Sequence, residues 1–441
     1  MKRNGDAVLK AAKPDDAFKE IGLSGLNRIS GFIQEEFLRD LKGQRALKIF
    51  REMADNDPII GAMLFAMKTL IRRVQWNVQP GGQDQESLRV ADLVETCMSD
   101  MSMSWDDVIC EICTMFVFGY APLEIVYKLR QGESNDPMRN SRFTDGMIGW
   151  RKLPIRSPES RYLWEFDENG GIQAFSQMPP PDFMVRTIPI EKLLLFRTTT
   201  EKNNPEGKSL LRNCYRPWYL KKNIEQIEAI GIERDLAGLP VGWVPAEILS
   251  NTPSVEAAAT KTNLEQIIRN IRRDEQEGVL WPLSYDADGH KIFDLTLLST
   301  GGGRQFDTTA IITRYDQRIA QSVMADVIMI GHQKAGSFAL TESKIELFAS
   351  GLKAFVDGMA DVFNRFAVPR LLRINGLPIQ NQPILKHGSV EQVDLDKLGT
   401  FVQSLAAAGA PLFPDEGLEN YLREVASLPQ REDTADGGVQ G

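Results

Sequence analysis

Hydrophobic positions along this chain change period several times, and each change marks an element. Ile60, Met63, Leu64, Met67, Leu70 and Ile71 recur at helical spacing after Asp57-Pro58. Organised core is therefore expected from Asp57 onward, behind a lightly structured arm of polar helical pieces. Period two at Val74, Trp76 and Val78 predicts a strand, ended by Pro80-Gly81-Gly82. A helix follows near Gln85 to Met98. Ser104, with Asp107 three residues on, reads as the N-cap of another, whose apolar face is Ile109, Ile112, Cys113 and Phe116 and whose end is Gly119. Leu123, Ile125, Tyr127 and Leu129 alternate as a strand. Tyr162 to Phe166 and Ile172 to Phe175 flank a hairpin signal, Asp167-Glu168-Asn169-Gly170-Gly171. Residues 50–200 thus read as an α+β unit.

The second half is simpler. Lys208 to Ala237 is a helical run that Pro217 should kink or restart and that Gly238 and Pro240 should end. An insert runs from about Val241 to Thr300, with a helix carrying Leu264, Ile267, Ile268 and Ile271, then strands Val279 to Leu283 and Lys291 to Leu297. After Gly301-Gly302-Gly303, a long helix is predicted from Gln305 to Ile330, spanning roughly 39 Å. Its stripe is Ile312, Tyr315, Ile319, Val323, Val327 and Ile330, with Arg314, Gln317, Arg318 and Gln321 opposite. The polar connector Gly331 to Ser337 leads to a helix from Thr341 to Phe366 that Pro369 should stop. Short amphipathic helices near Leu395 to Leu405 and Leu418 to Val425 precede a polar tail from Pro429, read as disordered. The order helix, insert, helix allows the two flanking helices to pair and carry the insert at one end.

Composition narrows the chemistry. With 441 residues, 42% hydrophobic and 25% charged, the chain has the profile of a globular protein with two or three cores. A net charge of -9 excludes a global basic field gripping nucleic acid. The longest apolar stretch, Ile59 to Ile71, is interrupted by Lys68 and too short to span a bilayer. The amino terminus lacks an apolar signal core, so a soluble protein used without export is expected. Cys97, Cys110, Cys113 and Cys214 form no disulfide framework.

Catalytic readings fail on spacing. Gly207-Lys208-Ser209 resembles the end of a phosphate loop, but Lys202 stands where the first glycine is required. Cys110-x-x-Cys113 has half a zinc motif, and His290, His332 and His387 are too scattered to complete it. Asp106 and Asp107 sit in a first helical turn, where acids complement the dipole. No cofactor is expected, and no enzyme. A metal-dependent nucleic-acid enzyme using Asp106, Asp107 and Glu111 is the least favoured alternative.

Several phrases in the chain carry a family resemblance. They are Asp57-Pro58-Ile59-Ile60 with Ile71-Arg72-Arg73-Val74-Gln75-Trp76, and Phe118-Gly119-Tyr120-Ala121-Pro122-Leu123-Glu124. The most specific is Gly207-Lys208-Ser209-Leu210-Leu211 through Arg216-Pro217-Trp218 to Asp235-Leu236-Ala237-Gly238-Leu239-Pro240. In these the chain resembles the portal proteins of tailed bacteriophages, closest to the Mu-type branch, over roughly Ile49 to Leu428. The resemblance implies an α+β portal fold: an arm (1–39), a wing (40–205, completed by 341–387), a two-helix stem (206–240 and 301–330), a small α/β clip (241–300), a tunnel loop (331–340), a short helical crown (388–428) and a disordered tail (429–441).

It also implies a ring, typically of twelve subunits, at the capsid vertex of the virion, assembled in the host cytoplasm. Double-stranded DNA would pass through it without sequence reading. Terminase would dock on the clip, head-completion or adaptor proteins would follow, and the major capsid or scaffold protein would surround it, with no membrane involved. His332, Gln333, Lys334 and Ser337 match the tunnel loop and are the expected DNA-facing residues. Arg314, Gln317, Arg318 and Gln321 face either the channel or a neighbouring stem. Another structural head-morphogenesis protein is the nearest alternative.

Overall fold

Asp57 sets the first corner of the core. It lies extended between α1 (Gly43–Asn56) and α2 (Pro58–Arg72), and its carboxylate accepts the N–H groups of Ile59 and Ile60 at 3.0 and 3.1 Å. Pro58 has no N–H to lose and suits the first helical turn. Organised core begins earlier than the sequence reading placed it. In α1, Ala46, Leu47, Phe50 and Met53 are all buried. Their stripe is masked in the sequence by the charged residues between them. A small hairpin, β1 (Arg28–Ile29) with β2 (Phe32–Ile33), precedes it. The computed structural model describes residues 20, 22–389 and 403, apart from 238, 247, 250–253, 271–283, 286–287, 299–306 and 324–337. The two expected carboxyl-terminal helices lie outside the described residues.

The chain divides into two units, Met1–Arg212 with Val323–Gly441, and Asn213–Ser322. In the first, β3 (Trp76–Gln79) and α3 (Gln85–Ser99) lead to α4 (Trp105–Ile112), which opens on the expected capping box. Asp107 N–H donates to Ser104 Oγ at 3.0 Å, and Ser104 N–H to Asp107 Oδ2 at 3.2 Å. A short α5 (Met115–Phe118) ends at Gly119, whose φ of +92° is left-handed. Strands β4 (Tyr120–Glu124), β5 (Val126–Leu129), β6 (Ile148–Lys152), β7 (Arg161–Phe166), β8 (Ile172–Gln177), β9 (Arg186–Pro189) and β10 (Leu193–Arg197) follow. They pair antiparallel as β4 with β10, β5 with β6, and β7-β8-β9. Tyr120, Trp164, Phe175, Ile188 and Leu193 pack together as their shared core.

The second unit holds α6 (Tyr215–Ala237), β11 (Leu239–Trp243), α7 (Val255–Asn270), β12 (Asp294–Leu298) and α8 (Thr308–Ser322). Pro217 restarts the helix rather than kinking it. Leu210–Arg212 is a separate 3-10 turn, and α6 begins two residues before the proline, where no N–H is needed. β11 and β12 pair antiparallel with Val241 opposite Thr296, and Trp243 Nε1–H donates to Thr296 Oγ1 at 3.2 Å. The expected strand Val279 to Leu283 lies outside the described residues, as do the ends of the helix expected over Gln305 to Ile330.

Returning to the first unit, α9 (Phe338–Val362) does not stop before Pro369. A π-helical turn, Phe363–Ala367, passes directly into α10 (Val368–Ile374), with Pro369 in its first turn. The wider π ladder removes the conflict that a proline creates in a regular helix. The turn also presents Asn364 to β13 (Ile384–His387), the strand that pairs with β3. Its amide donates to Leu385 O at 2.9 Å and accepts Leu385 N–H at 2.8 Å, as a neighbouring strand would. Asn375, at the end of α10, clasps Ile148 of β6 in the same way, at 2.9 and 2.7 Å. Phe363 is fully buried, with ring centroids 4.8 Å from Trp105 and 5.2 Å from Phe196.

Asn364→Ala should strand both polar groups of Leu385, a residue only 1% exposed, at a cost on the order of 2–3 kcal/mol. Native-state hydrogen exchange should show the Leu385 amide losing protection before the amides of β4. Unchanged protection there would show that β3 alone holds β13.

Candidate functional site

α6 and α8 lie antiparallel, joined at points seven residues apart that start at Cys214, immediately before α6. The Cys214 Sγ sits 3.8 Å from Ile319 O, the Lys221 ammonium 2.6 Å from Asp316 Oδ1, and Glu228 Oε1 accepts Thr308 Oγ1–H at 2.5 Å. A seven-residue step returns to one face of a helix, so these contacts form a seam about 21 Å long on α6. Trp218 lies on the same side, 6% exposed, with the Lys222 ammonium 5.2 Å over its ring. Lys221 is almost fully buried, its side chain 4% exposed against 17% for Asp316.

The faces turned away from the seam differ in kind. On α6 the opposite arc carries Arg216, Tyr219, Asn223, Gln226, Ile227 and Ile230, and is free of charge only between Arg216 and Glu233. Ile227 is 69% exposed and Ile230 48%. Past Arg216, the charged residues Lys221, Glu225 and Glu228 lie on the seam side, the reverse of the usual order of a surface helix. On α8 the opposite arc carries Arg314, Gln317 and Gln321, with Arg318 at its margin. Arg314, Arg318 and Gln321 are exposed and Gln317 is half-buried. Both guanidinium groups flank the Tyr315 ring, at 5.5 and 5.8 Å. Neither has a carboxylate partner among the described residues. The structure thus brings together the expected residues of this helix. His332, Gln333, Lys334 and Ser337 lie outside the described residues.

The segment leading to α6 is anchored within the first unit. Gly207 (φ +56°) and Gly119 lie so close that a Cβ on either would overlap backbone of the other's segment. Thr198 Oγ1 donates to Lys208 O at 2.6 Å and accepts Lys208 N–H at 3.1 Å, and Ser209 Oγ–H donates to Val117 O at 2.5 Å. Beneath the glycines Arg161 meets Glu206 at 2.9 Å. Burial raises the Glu206 carboxyl and the Arg161 charge opposes the rise. Arg212 closes the segment with a fork onto Glu36, Nε to Oε2 at 2.5 Å and Nη2 to Oε1 at 3.0 Å. Burial pulls the Glu36 carboxyl upward, yet the Arg212 fork and the Leu38 N–H outweigh it and hold the group below the ordinary carboxylate range.

The residues weighed for catalysis are occupied in other ways. Gly207-Lys208-Ser209 forms part of this anchor. Asp107 is the capping-box acid. Asp106 is held below its usual range by hydrogen bonds from Arg72. Burial pushes the Cys113 thiol up to about 12, and Cys110 is half-buried beside it on the same helical stretch. Among the described residues no group of His, Cys, Asp and Glu is placed to hold a metal ion, and no helix is long and apolar enough to cross a membrane. Sequence reasoning missed the Lys221–Asp316 and Arg212–Glu36 pairs. Only the seven-residue recurrence of Cys214, Lys221 and Glu228 hinted at the first.

Comparison with known proteins bears on this arrangement. Residues 47–424 match the family described as the portal protein of Mu bacteriophage. Among solved structures, a chain in the neck of a native gene transfer agent particle computed with C12 symmetry superposes with a TM-score of 0.50 at 11% identity, covering 92% of this chain and 97% of that one. A chain in the neck of an empty particle computed with C6 symmetry gives 0.49 at 11% identity, covering 90% and 95%. At such identity the first of these likenesses speaks for the fold alone.

Two outcomes follow from the geometry. Lys221→Ala should leave Asp316 without its buried partner and lower stability on the order of 2–3 kcal/mol, whereas Lys221→Met with Asp316→Leu should recover most of the loss in thermal melting. A double variant as unstable as the single one would remove the pair from the seam. The depressed Glu36 carboxyl stabilises the fold fully above its unfolded value of about 4.3, and that contribution disappears as pH falls through the lower folded value. Acid titration of stability should therefore be shallower in Glu36→Gln than in the parent, and identical slopes would show that Arg212 gains nothing from the charge.

Proposed function

The chain belongs to the family of Mu-type bacteriophage portal proteins, and we propose that its subunits close into a ring around a passage for double-stranded DNA. The match over residues 47–424 carries this reading. In it the α6–α8 pair is the stem, the segment between them the clip where terminase docks during packaging, and the α+β unit the wing. Head-completion proteins dock after packaging, and capsid or scaffold protein surrounds the ring at one vertex of the virion. The ring is dodecameric, as the C12 symmetry applied to the gene transfer agent neck suggests. The chain supplies no chemistry of its own; the motor does the work.

The unlike outer faces of the stem support a division of labour. The outer face of α6, free of charge around the largely exposed Ile227 and Ile230, suits burial against a second copy. The α8 face, with Arg314, Arg318 and two glutamines, suits water and passing phosphates. A conduit must touch phosphates weakly, since each one neutralised adds affinity by counterion release. A subunit of net charge -9 with a few channel cations meets that condition. Lys334, with His332, Gln333 and Ser337, completes the DNA-facing set in the tunnel loop.

Negative-stain microscopy of the purified protein should show rings with a central hole. Ile227→Glu with Ile230→Glu should abolish them while leaving the melting temperature of the subunit nearly unchanged. Lys334→Glu, and separately Arg314→Glu with Arg318→Glu, should preserve rings and alter DNA packaging or retention. Loss of rings in the arginine variant would move that face to a neighbouring stem. The absence of rings from the parent protein would favour another head-morphogenesis role.

A further inference from the structure

β5 and β6 are adjacent strands of one sheet, yet the chain makes a long excursion from Arg130 to Met147 to join them. Loops of this length without helix or strand of their own are usually functional. This one is held at several points. Lys128, its side chain 5% exposed, reaches Asp100 Oδ2 at 2.9 Å and Asn140 O at 2.8 Å. Asp100 in turn accepts Ser141 Oγ–H at 2.6 Å and Arg142 N–H at 3.0 Å. Arg130, 2% exposed, binds Asp145 at 2.9 Å beneath the Phe143 ring. The loop stands as the rigid wall of a cleft of about 1030 Å³, whose other wall is the end of β6.

The cleft carries an unusual charge for this protein. Arg142, Arg151 and Lys152 line it; Arg142, its side chain 67% exposed, also approaches Asp100 Oδ1 at 3.7 Å and donates to Ser99 O. The side chains of Arg151 and Lys152 have no carboxylate partner among the described residues. Lys128 and Asp100 cancel, leaving three cations against Glu133 on a chain whose net charge is -9. We propose that this cleft seats an acidic peptide segment of a separate protein, its carboxylates on Arg142, Arg151 and Lys152.

A peptide fits better than a nucleic-acid strand. Phosphates recur at every nucleotide and would be driven against Glu133, whereas a peptide can place a neutral residue there. Ser134, Asn135 and Asn140 supply hydrogen-bonding partners for its backbone. The proposal draws on the portal reading only in assigning the contact between subunits to the isoleucine face of α6. A charged, hydrated cleft is the kind of contact that steers a separate partner and releases it again.

The test uses the full-length protein and a fluorescein-labelled peptide of about twenty residues in which glutamate alternates with glycine, followed by anisotropy at low salt. Saturable binding that weakens with salt is expected. Arg151→Glu with Lys152→Glu should raise Kd about tenfold or more, the scale expected when two cations that pair with carboxylates become repulsive. Arg89→Glu, which changes an exposed cation on α3, should shift it less than about twofold. No saturable binding, equal loss in both variants, or tighter binding of a DNA duplex to the same cleft would overturn the proposal. Negative-stain images of the same samples separate the two readings. Rings should persist in the double variant; their loss there would give the cleft to a second copy, whereas missing rings in the parent would count against the ring alone.

Discussion

Two glycines that touch determine where this chain can leave its α+β unit. Gly119 must turn left-handed to end α5, and Gly207 must approach it without a side chain, so the helix-to-strand corner and the exit segment become one object. Thr198 and Ser209 then commit their hydroxyls to the backbone of that corner, and Arg161 with Glu206 fills the space beneath. Little freedom remains before Arg212, which is itself forked onto Glu36. The phrases around Gly119 and Gly207, which carry much of the family resemblance, are therefore two halves of one joint.

Beyond the joint the usual distribution of charge reverses. A surface helix normally turns its charges to water and its apolar stripe to the core. In α6 the buried side holds Lys221, against Asp316, while isoleucines face outward. The buried pair adds little net stability over a well-packed apolar contact, because both charges give up their hydration. What it adds is register: Lys221 finds its carboxylate in one alignment of the helices, whereas apolar seams tolerate sliding. In the proposed ring a neighbouring copy would cover the exposed Ile227 and Ile230 of every subunit.

Much of this was legible in the sequence, for identifiable reasons. The capping box at Ser104 and the hairpin at Asp167 to Gly171 follow from local rules that no tertiary contact overrode. Pairing of the helices around the insert was allowed by their order and implied by the family resemblance. The misses share a cause too. Periodicity looks for apolar residues, so a seam that uses Lys221 is invisible to it, and so is α1, whose stripe is narrow among charges. Pro369 reads as a stop only if the ladder before it is regular, and the π turn breaks that assumption. The clasping amides Asn364 and Asn375 act on strands distant in sequence, which composition cannot reveal. Of the expected site, the residues on α8 can be placed, and those of the polar connector lie outside the described residues.

The same electrostatics explains how an acidic protein can serve a polyanion. A channel that bound DNA tightly would hold it by counterion release at every phosphate, and each contact would have to be broken to advance a step. In the proposed conduit the few cations along the outer face of α8, beside the Tyr315 ring, would guide DNA without gripping it. Arg142, Arg151 and Lys152 lie in the other unit, and in the proposed cleft their contact with a partner would be reversible. The two proposed roles thus fall on different bodies of the chain.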